Sequence, residues 1–251
     1  MESIFVLDPE ISMQKQHCTP LTTGSSYFDT HLNCTVLATT PRARPELWRA
    51  FTEGALASYT HFGVEKALEY EEIVDGTSTT MFLAAVDDSG RLHGGLRVQG
   101  PYTQPTHTHA EREWADCSTG RAALRRMVAD RLPHGVVEMK SVWTAQDAPR
   151  QGTSGYLGAI GATLAAVALG SRFTLATSAE HAMGPYLDSG AVMAAHIDAV
   201  PYPDDRYRTR VLWWDQHMIP RHTTVNLYRH IARAVAQLLP THHISTEAPT
   251  S

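Results

Sequence analysis

The pattern of apolar and polar positions divides the chain into alternating strand-like and helix-like runs. Residues 32–38 lean towards β structure. Beyond Pro41 and Pro45, residues 46–59 repeat their apolar side chains at helical spacing, with Pro45 suited to a first helical turn. Two β-rich runs at 80–86 and 94–98 flank Asp87-Asp88-Ser89-Gly90, so a hairpin is the simplest arrangement. The second half of 106–131 is helical in pattern and stops at Pro133-His134-Gly135. A strand is then expected over 136–144, a buried helix over 156–169, a strand over 172–177 and a short helix beginning at 179. The runs 191–200 and 207–214 are expected to pair antiparallel across a loop at 201–205, followed by an amphipathic helix over 223–239. Residues 1–30 have no clear period and read as an N-terminal extension, residues 31–240 as a single domain, and 241–251 as a mobile tail.

With 251 residues, one domain can bury a full core. A net charge of -5 and 19% charged residues fit an ordinary globular protein and give no footprint for nucleic acid. The three cysteines, Cys18, Cys34 and Cys117, are too few and too scattered for a disulfide framework and point to the cytoplasm. No run reaches the ~20 apolar residues of a membrane span, and the first residues lack a signal-peptide pattern.

Between the strand at 136–144 and the helix that follows lies Arg150-Gln151-Gly152-Thr153-Ser154-Gly155. Small residues at a helix start cradle phosphate, because unpaired backbone N–H groups and the helix dipole both favour an anion there. The order of strand, loop, helix, strand and further strand pair resembles the GNAT superfamily of N-acetyltransferases. In that superfamily the loop reads Arg/Gln-x-x-Gly-x-Gly/Ala and binds the pyrophosphate of coenzyme A. Arg150, Thr153 and Gly155 occupy the three motif positions, with Thr153 in place of the central glycine. An ordinary helix cap is the bland alternative for the loop.

The first half resembles a narrower branch, the acyl-homoserine-lactone synthases and related N-acyl amino acid synthases. Glu69-Tyr70-Glu71-Glu72 precedes a hairpin ending Gly94-Gly95-Leu96-Arg97, and Glu138-Met139-Lys140-Ser141 stands where that branch has Glu-x-x-Arg. The resemblance implies an α/β (α+β) GNAT fold, with a mixed, mostly antiparallel sheet and helices on both faces. It also implies an N-acyltransferase that takes its acyl group from acyl-CoA or an acyl-carrier-protein thioester and gives it to a primary amine of a small molecule, without a metal. A homodimer stays open, as do acceptor identity and acyl length.

Glu138, a carboxylate among apolar neighbours, is the candidate general base; its alternatives are a solvent-facing position or a structural pair with Arg97. Tyr186 is the candidate acid for the leaving thiolate, against a packed aromatic. Backbone N–H groups at Val142 and Thr144 would hold the pantetheine arm and polarise the thioester carbonyl, and residues 150–155 the phosphates. Arg97, Trp143 and Glu71 are the candidate acceptor contacts; Arg97 could clamp a carboxylate or pair with the acidic run. Gly158, Gly161 and Ala162 leave space near the donor, which would admit a chain longer than acetyl. His107, His109, Glu111 and Glu113 could converge on a metal if they alternated along a strand, but match no familiar zinc spacing. Trp213 and Trp214, with the loop around Tyr202 and Tyr207, read as sheet packing and pocket wall. Two rival functions remain: a GNAT-fold ligand-binding protein or scaffold without transfer chemistry, and a thioester hydrolase or decarboxylase.

Overall fold

The computed structural model describes residues 24–148 and 153–239. The sheet begins earlier than the sequence pattern suggests. Ser25–Asp29 (β1), expected within the N-terminal extension, pairs antiparallel with Cys34–Thr39 (β2) as an edge strand. Helix α1, Pro45–His61, carries Pro45 at its start as expected, and a four-residue helix α2, Tyr70–Ile73, follows. The hairpin is Met81–Val86 (β3) with Leu92–Gln99 (β4). Two helices come next, Ala110–Glu113 (α3) and Ser118–Arg131 (α4), and then Val136–Thr144 (β5) with the expected limits.

Helix α5, Thr153–Ala168, leads to Phe173–Ala179 (β6), and Gly184–Asp188 forms the short α6. The expected strand over 191–200 shrinks to Val192–Met193 (β7), because after the Ala194 N–H bonds the Val211 carbonyl the chain turns out of the ladder and rejoins it at the Val200–Thr209 bridge. Thr209–Asp215 (β8), Ile219–His222 (α7) and Val225–Leu238 (α8) complete the fold. The side chain of Thr224 accepts from the N–H of Leu227 and caps α8. None of the described helices is long and apolar enough to cross a membrane.

The eight strands lie in the order β1-β2-β3-β4-β5-β6-β8-β7, antiparallel throughout except for β5 with β6. One face, with Val36, Leu83, Leu96, Met139, Leu212 and Trp214, is covered by α5 and α8. The other face carries two apolar clusters. Trp48, Phe51, Phe82 and Trp143 pack beneath α1, while Trp114, Leu124, Phe173, Leu175 and Trp213 pack with α3 and α4. Between them the sheet is polar: directly opposed residues share a face, and Arg97 opposes Lys140 while Gln99 opposes Glu138. This seam of charged side chains under helices sits beside a break in the sheet.

Candidate active site at the strand split

Strands β5 and β6 pair only from Val136–Phe173 to Glu138–Leu175 and then part, although β5 continues to Thr144 and β6 to Ala179. The edge of β5 that carries Val142 and Thr144 therefore has no strand partner on its β6 side. A bulge accompanies the split: the β4–β5 register passes from Gly95–Trp143 to Arg97–Lys140, and Ser141 takes φ 49.

Helix α5 packs against both β5 and β6. Arg150, Gln151 and Gly152 lie outside the described residues; Thr153, Ser154 and Gly155 form its first turn, with Thr153 buried. A Cβ on Gly155 would meet Pro185 at 2.4 Å, and one on Gly158 would meet the Tyr186 ring at 2.5 Å, so these glycines let α6 close onto α5. This corrects the expectation of acyl space at Gly158 and Gly161. The ring of Tyr186 fills the first position and the side chain of Leu96 abuts the second.

Tyr186 also packs edge-on to Trp214, and its hydroxyl has no hydrogen-bond partner among the described residues. Burial pushes its pKa up, helped by the Tyr59 phenol, so it remains protonated at neutral pH. Tyr59 belongs to α1, on the opposite face, where burial raises its pKa against the pull of Lys140 and Arg97.

In the polar seam Glu138 is fully buried and fully engaged. Its Oε2 accepts from the Tyr102 hydroxyl at 2.8 Å and the His109 N–H at 2.7 Å, and Oε1 accepts from the Ala110 N–H at 2.9 Å. Such a carboxylate caps the start of α3 and satisfies orphan amides there. Glu138, expected as the general base, thus holds three donors with its two oxygens at the start of α3. The structure shows neither alternative raised for it, since Glu138 has no solvent exposure and no hydrogen bond to Arg97.

The centre of the seam is Glu113. Its Oε1 accepts from Lys140 Nζ at 2.6 Å, Thr177 Oγ1 at 2.9 Å and His109 Nδ1 at 2.9 Å, while Oε2 is buried without a partner among the described residues. Lys140 stands on β5 and Thr177 on β6, so one carboxylate spans the parting strands. Burial works to raise its pKa, but Lys140 and His109 outweigh this and hold it down at about 2. The other ring nitrogen of His109, Nε2, meets Glu69 Oε2 at 2.9 Å. Burial and Lys140 pull the imidazole down, yet the bonds to Glu113 and Glu69 prevail and its pKa is raised. Glu69 in turn reaches Arg112.

A small cleft opens here, lined by Glu69, Glu72, Arg97, His109 and Arg112 among others. Arg97 is 1% exposed; its Nε donates to Ser141 Oγ at 3.1 Å, and its Nη1 is buried with no partner among the described residues. Burial lowers its pKa, although Glu138 opposes the effect. Glu71 is exposed and outside this cleft; its neighbours Glu69 and Glu72 supply the acidic wall. Trp143 belongs to the core under α1, its ring against Gly54 and 5.9 Å from Phe51, away from the ion cluster.

Of the four residues weighed as metal ligands, His109 and Glu113 stay together and Glu111 leaves them. Glu111 turns to Arg121 and Arg125, and among the described residues no group of three or more His, Cys, Asp and Glu could hold a metal. Sequence reasoning missed Tyr59, Glu113, Lys140 and Thr177 as a cluster. The detectable signal was the i,i+4 spacing of His109 and Glu113 on a helical turn.

No family model matches the chain. Over 212 residues it is 39% identical to an uncharacterised protein of Mycobacterium tuberculosis strain H37Rv, covering 84% of this chain and 79% of the relative. An uncharacterised protein of Mycobacterium bovis matches with the same figures. Among solved structures, FeeM, an N-acyl amino acid synthase from uncultured soil microbes, is similar at TM-score 0.50 and 11% identity, over 77% of this chain and 96% of that one. BjaI, a CoA-dependent acyl-homoserine lactone synthase solved with SAM and isopentyl-CoA, is similar at TM-score 0.50 and 14% identity, over 83% and 90%. The likeness to these two is one of fold, and that fold is the GNAT fold expected from the element order.

Proposed function

Because this chain belongs to one protein family with its uncharacterised Mycobacterium relatives and has the GNAT fold, we propose that it is an N-acyltransferase. It moves an acyl group from an acyl-CoA or acyl-carrier-protein thioester to the primary amine of a small molecule. The observation that carries this reading is the split between β5 and β6, with a phenol that has no hydrogen-bond partner among the described residues on one side and a buried ion cluster on the other.

The residues at the split fit a pantetheine thioester. The open edge of β5 at Val142 and Thr144 offers backbone groups to an extended amide chain, in the manner of an added strand. The start of α5, with residues 150–155, suits the phosphates. The neighbour BjaI was solved with isopentyl-CoA, which is in keeping with such a donor. Tyr186, kept protonated by burial, gives its proton to the departing sulfur as the C–S bond breaks. The acceptor enters by the cleft at Arg97. Its unpartnered Nη1 takes a carboxylate of the acceptor, and Glu69 and Glu72 favour the cationic amine. Glu138 serves the site by fixing α3 and its His109 end, and takes no part in proton transfer.

The test is incubation with a panel of acyl-CoA thioesters and amines, following free thiol by colour and amide by mass. Thiol released in step with an amide is the expected result. Thiol without amide would make the protein a thioester hydrolase, and calorimetric silence towards every thioester, free or on a carrier protein, would remove the donor site altogether.

A further inference from the structure

With Glu138 committed to α3, the acyltransferase reading lacks a group to take the proton of the acceptor ammonium. We infer that His109 is that general base, acting through Nε2 at the acceptor cleft, with Glu113 as the positioning residue that holds its Nδ1. The inference rests on the acyltransferase reading and adds the residue that reading leaves unassigned.

Three observations carry it. First, His109 is almost wholly buried yet lines the cleft that also contains Arg97, Glu69 and Arg112. Second, its two nitrogens have unequal surroundings. Nδ1 is held at 2.9 Å by Glu113, a carboxylate with no side-chain exposure, whereas Nε2 faces Glu69, whose side chain is 23% exposed at the mouth. A buried carboxylate on Nδ1 fixes the ring and its tautomer, so that the proton lost from the imidazolium is the one Nε2 shares with Glu69 at the cleft, and Nε2 then turns its lone pair to the substrate. Third, Glu113 is the same carboxylate that joins Lys140 on β5 to Thr177 on β6, so the base is anchored to the strands that frame the thioester.

The proton balance closes without a co-reactant. An ammonium in the cleft takes Glu69 as its counter-ion, and one of its N–H bonds breaks in favour of His109 Nε2. The freed lone pair forms the C–N bond to the thioester carbon. When the C–S bond breaks, the sulfur takes the Tyr186 proton, and a second proton from the adduct nitrogen restores the phenol. The amide keeps one hydrogen, and the His109 proton leaves through the Glu69 side.

The base must be neutral to act, and its surroundings set when that happens. Glu69 faces it from the turn before α2, Glu113 from its own helix, Lys140 from β5 and the Tyr202 ring from 6.4 Å. Glu138 accepts from its backbone, and Arg112 and Arg97 share its cleft. The two carboxylate bonds favour the imidazolium, so transfer should rise with pH through a value above the usual imidazole range.

The experiment is a pH profile of kcat/KM on the full-length chain, with a donor and amine found in the panel, for the wild type, His109→Gln and Glu69→Gln. Acyl-CoA binding by calorimetry reports folding and the donor site in each. His109→Gln is expected to bind the donor normally, lose about 10²–10⁴-fold in rate and lose the rising limb. Glu69→Gln, at the rim, is expected to keep the limb but move it to lower pH. His109→Gln with the wild-type rate and limb would overturn the inference, as would a limb unmoved in Glu69→Gln should the first variant fail to fold. A wild type that binds donor and yields no amide with any amine would instead overturn the acyltransferase reading.

Discussion

Three donors converge on Glu138: the Tyr102 hydroxyl and the N–H groups of His109 and Ala110. An amide in its place has one oxygen and one NH2, and the NH2 must point at a donor. Glu138→Gln is therefore expected to lose about 1–3 kcal/mol of stability, one unsatisfied buried donor's worth, and with it about 2–4 °C of Tm for each kcal/mol. A normal melt with a collapsed kcat would return Glu138 to the role of base. Tyr186 makes the opposite forecast. Its hydroxyl bonds nothing described, so Tyr186→Phe should leave the melt and the donor Kd in place and cut thiol release about 10²–10⁴-fold. Unchanged turnover would end its role as acid. Both residues stood out in the sequence, but only the fold could tell them apart: the donors to Glu138 come from 28 to 36 residues away in the chain, beyond the reach of any local pattern.

Among the elements, those with long periods were legible and those set by tertiary contact were not. β5 was read with its observed limits because Val136-Val137 follow the Pro133-His134-Gly135 stop and Val142-Trp143-Thr144 close the run, and α8 was read to within two residues because its apolar face repeats over 14 residues. β1 escaped notice because its register with β2, and not its own polar composition, makes it a strand. The segment 107–113 was weighed as an alternating strand. It folds instead as a turn and a short helix, which sends Glu111 outwards to Arg121 and Arg125 and stacks His109 over Glu113. The helix pair α5–α6 offers a test at this scale. A Cβ at Gly158 would lie 2.5 Å from the Tyr186 ring, so Gly158→Ala must displace the phenol or push α6 away. The expectation is about 1–3 kcal/mol of overpacking and a clear fall in kcat with little change in acceptor KM. Gly184→Ala, with open space around it, should match the wild type in both. Equal effects at the two positions would show that α6 is not held by this contact.

For the whole molecule, a buried ion cluster between two apolar clusters ties stability to pH from two directions. Glu113 titrates at about 2 in the fold against an ordinary 4.5. Its folded value is depressed, so its contribution is complete above 4.5 and is lost as pH falls from there through 2. His109 is displaced the other way, upwards from 6.5. Its contribution is complete below 6.5 and is lost as pH climbs through the raised value, where the imidazolium gives up its bond to one of two carboxylates. His230, lowered by burial, works against any acid gain, so the comparison must be made within one background. With the His230 loss below 6.5 common to wild type and variant, urea midpoints should fall below about 4.5 through Glu113 and above 6.5 through His109. In His109→Gln the alkaline decline should flatten while the acid decline, owed to Glu113 and Lys140, persists. The same alkaline deprotonation that loosens the cluster frees the base of the proposed reaction, so the pH at which the alkaline loss of stability levels off should coincide with the midpoint of the rise in transfer. Two curves that separate by more than about one pH unit, the span of a single titration, would mean that different groups control them.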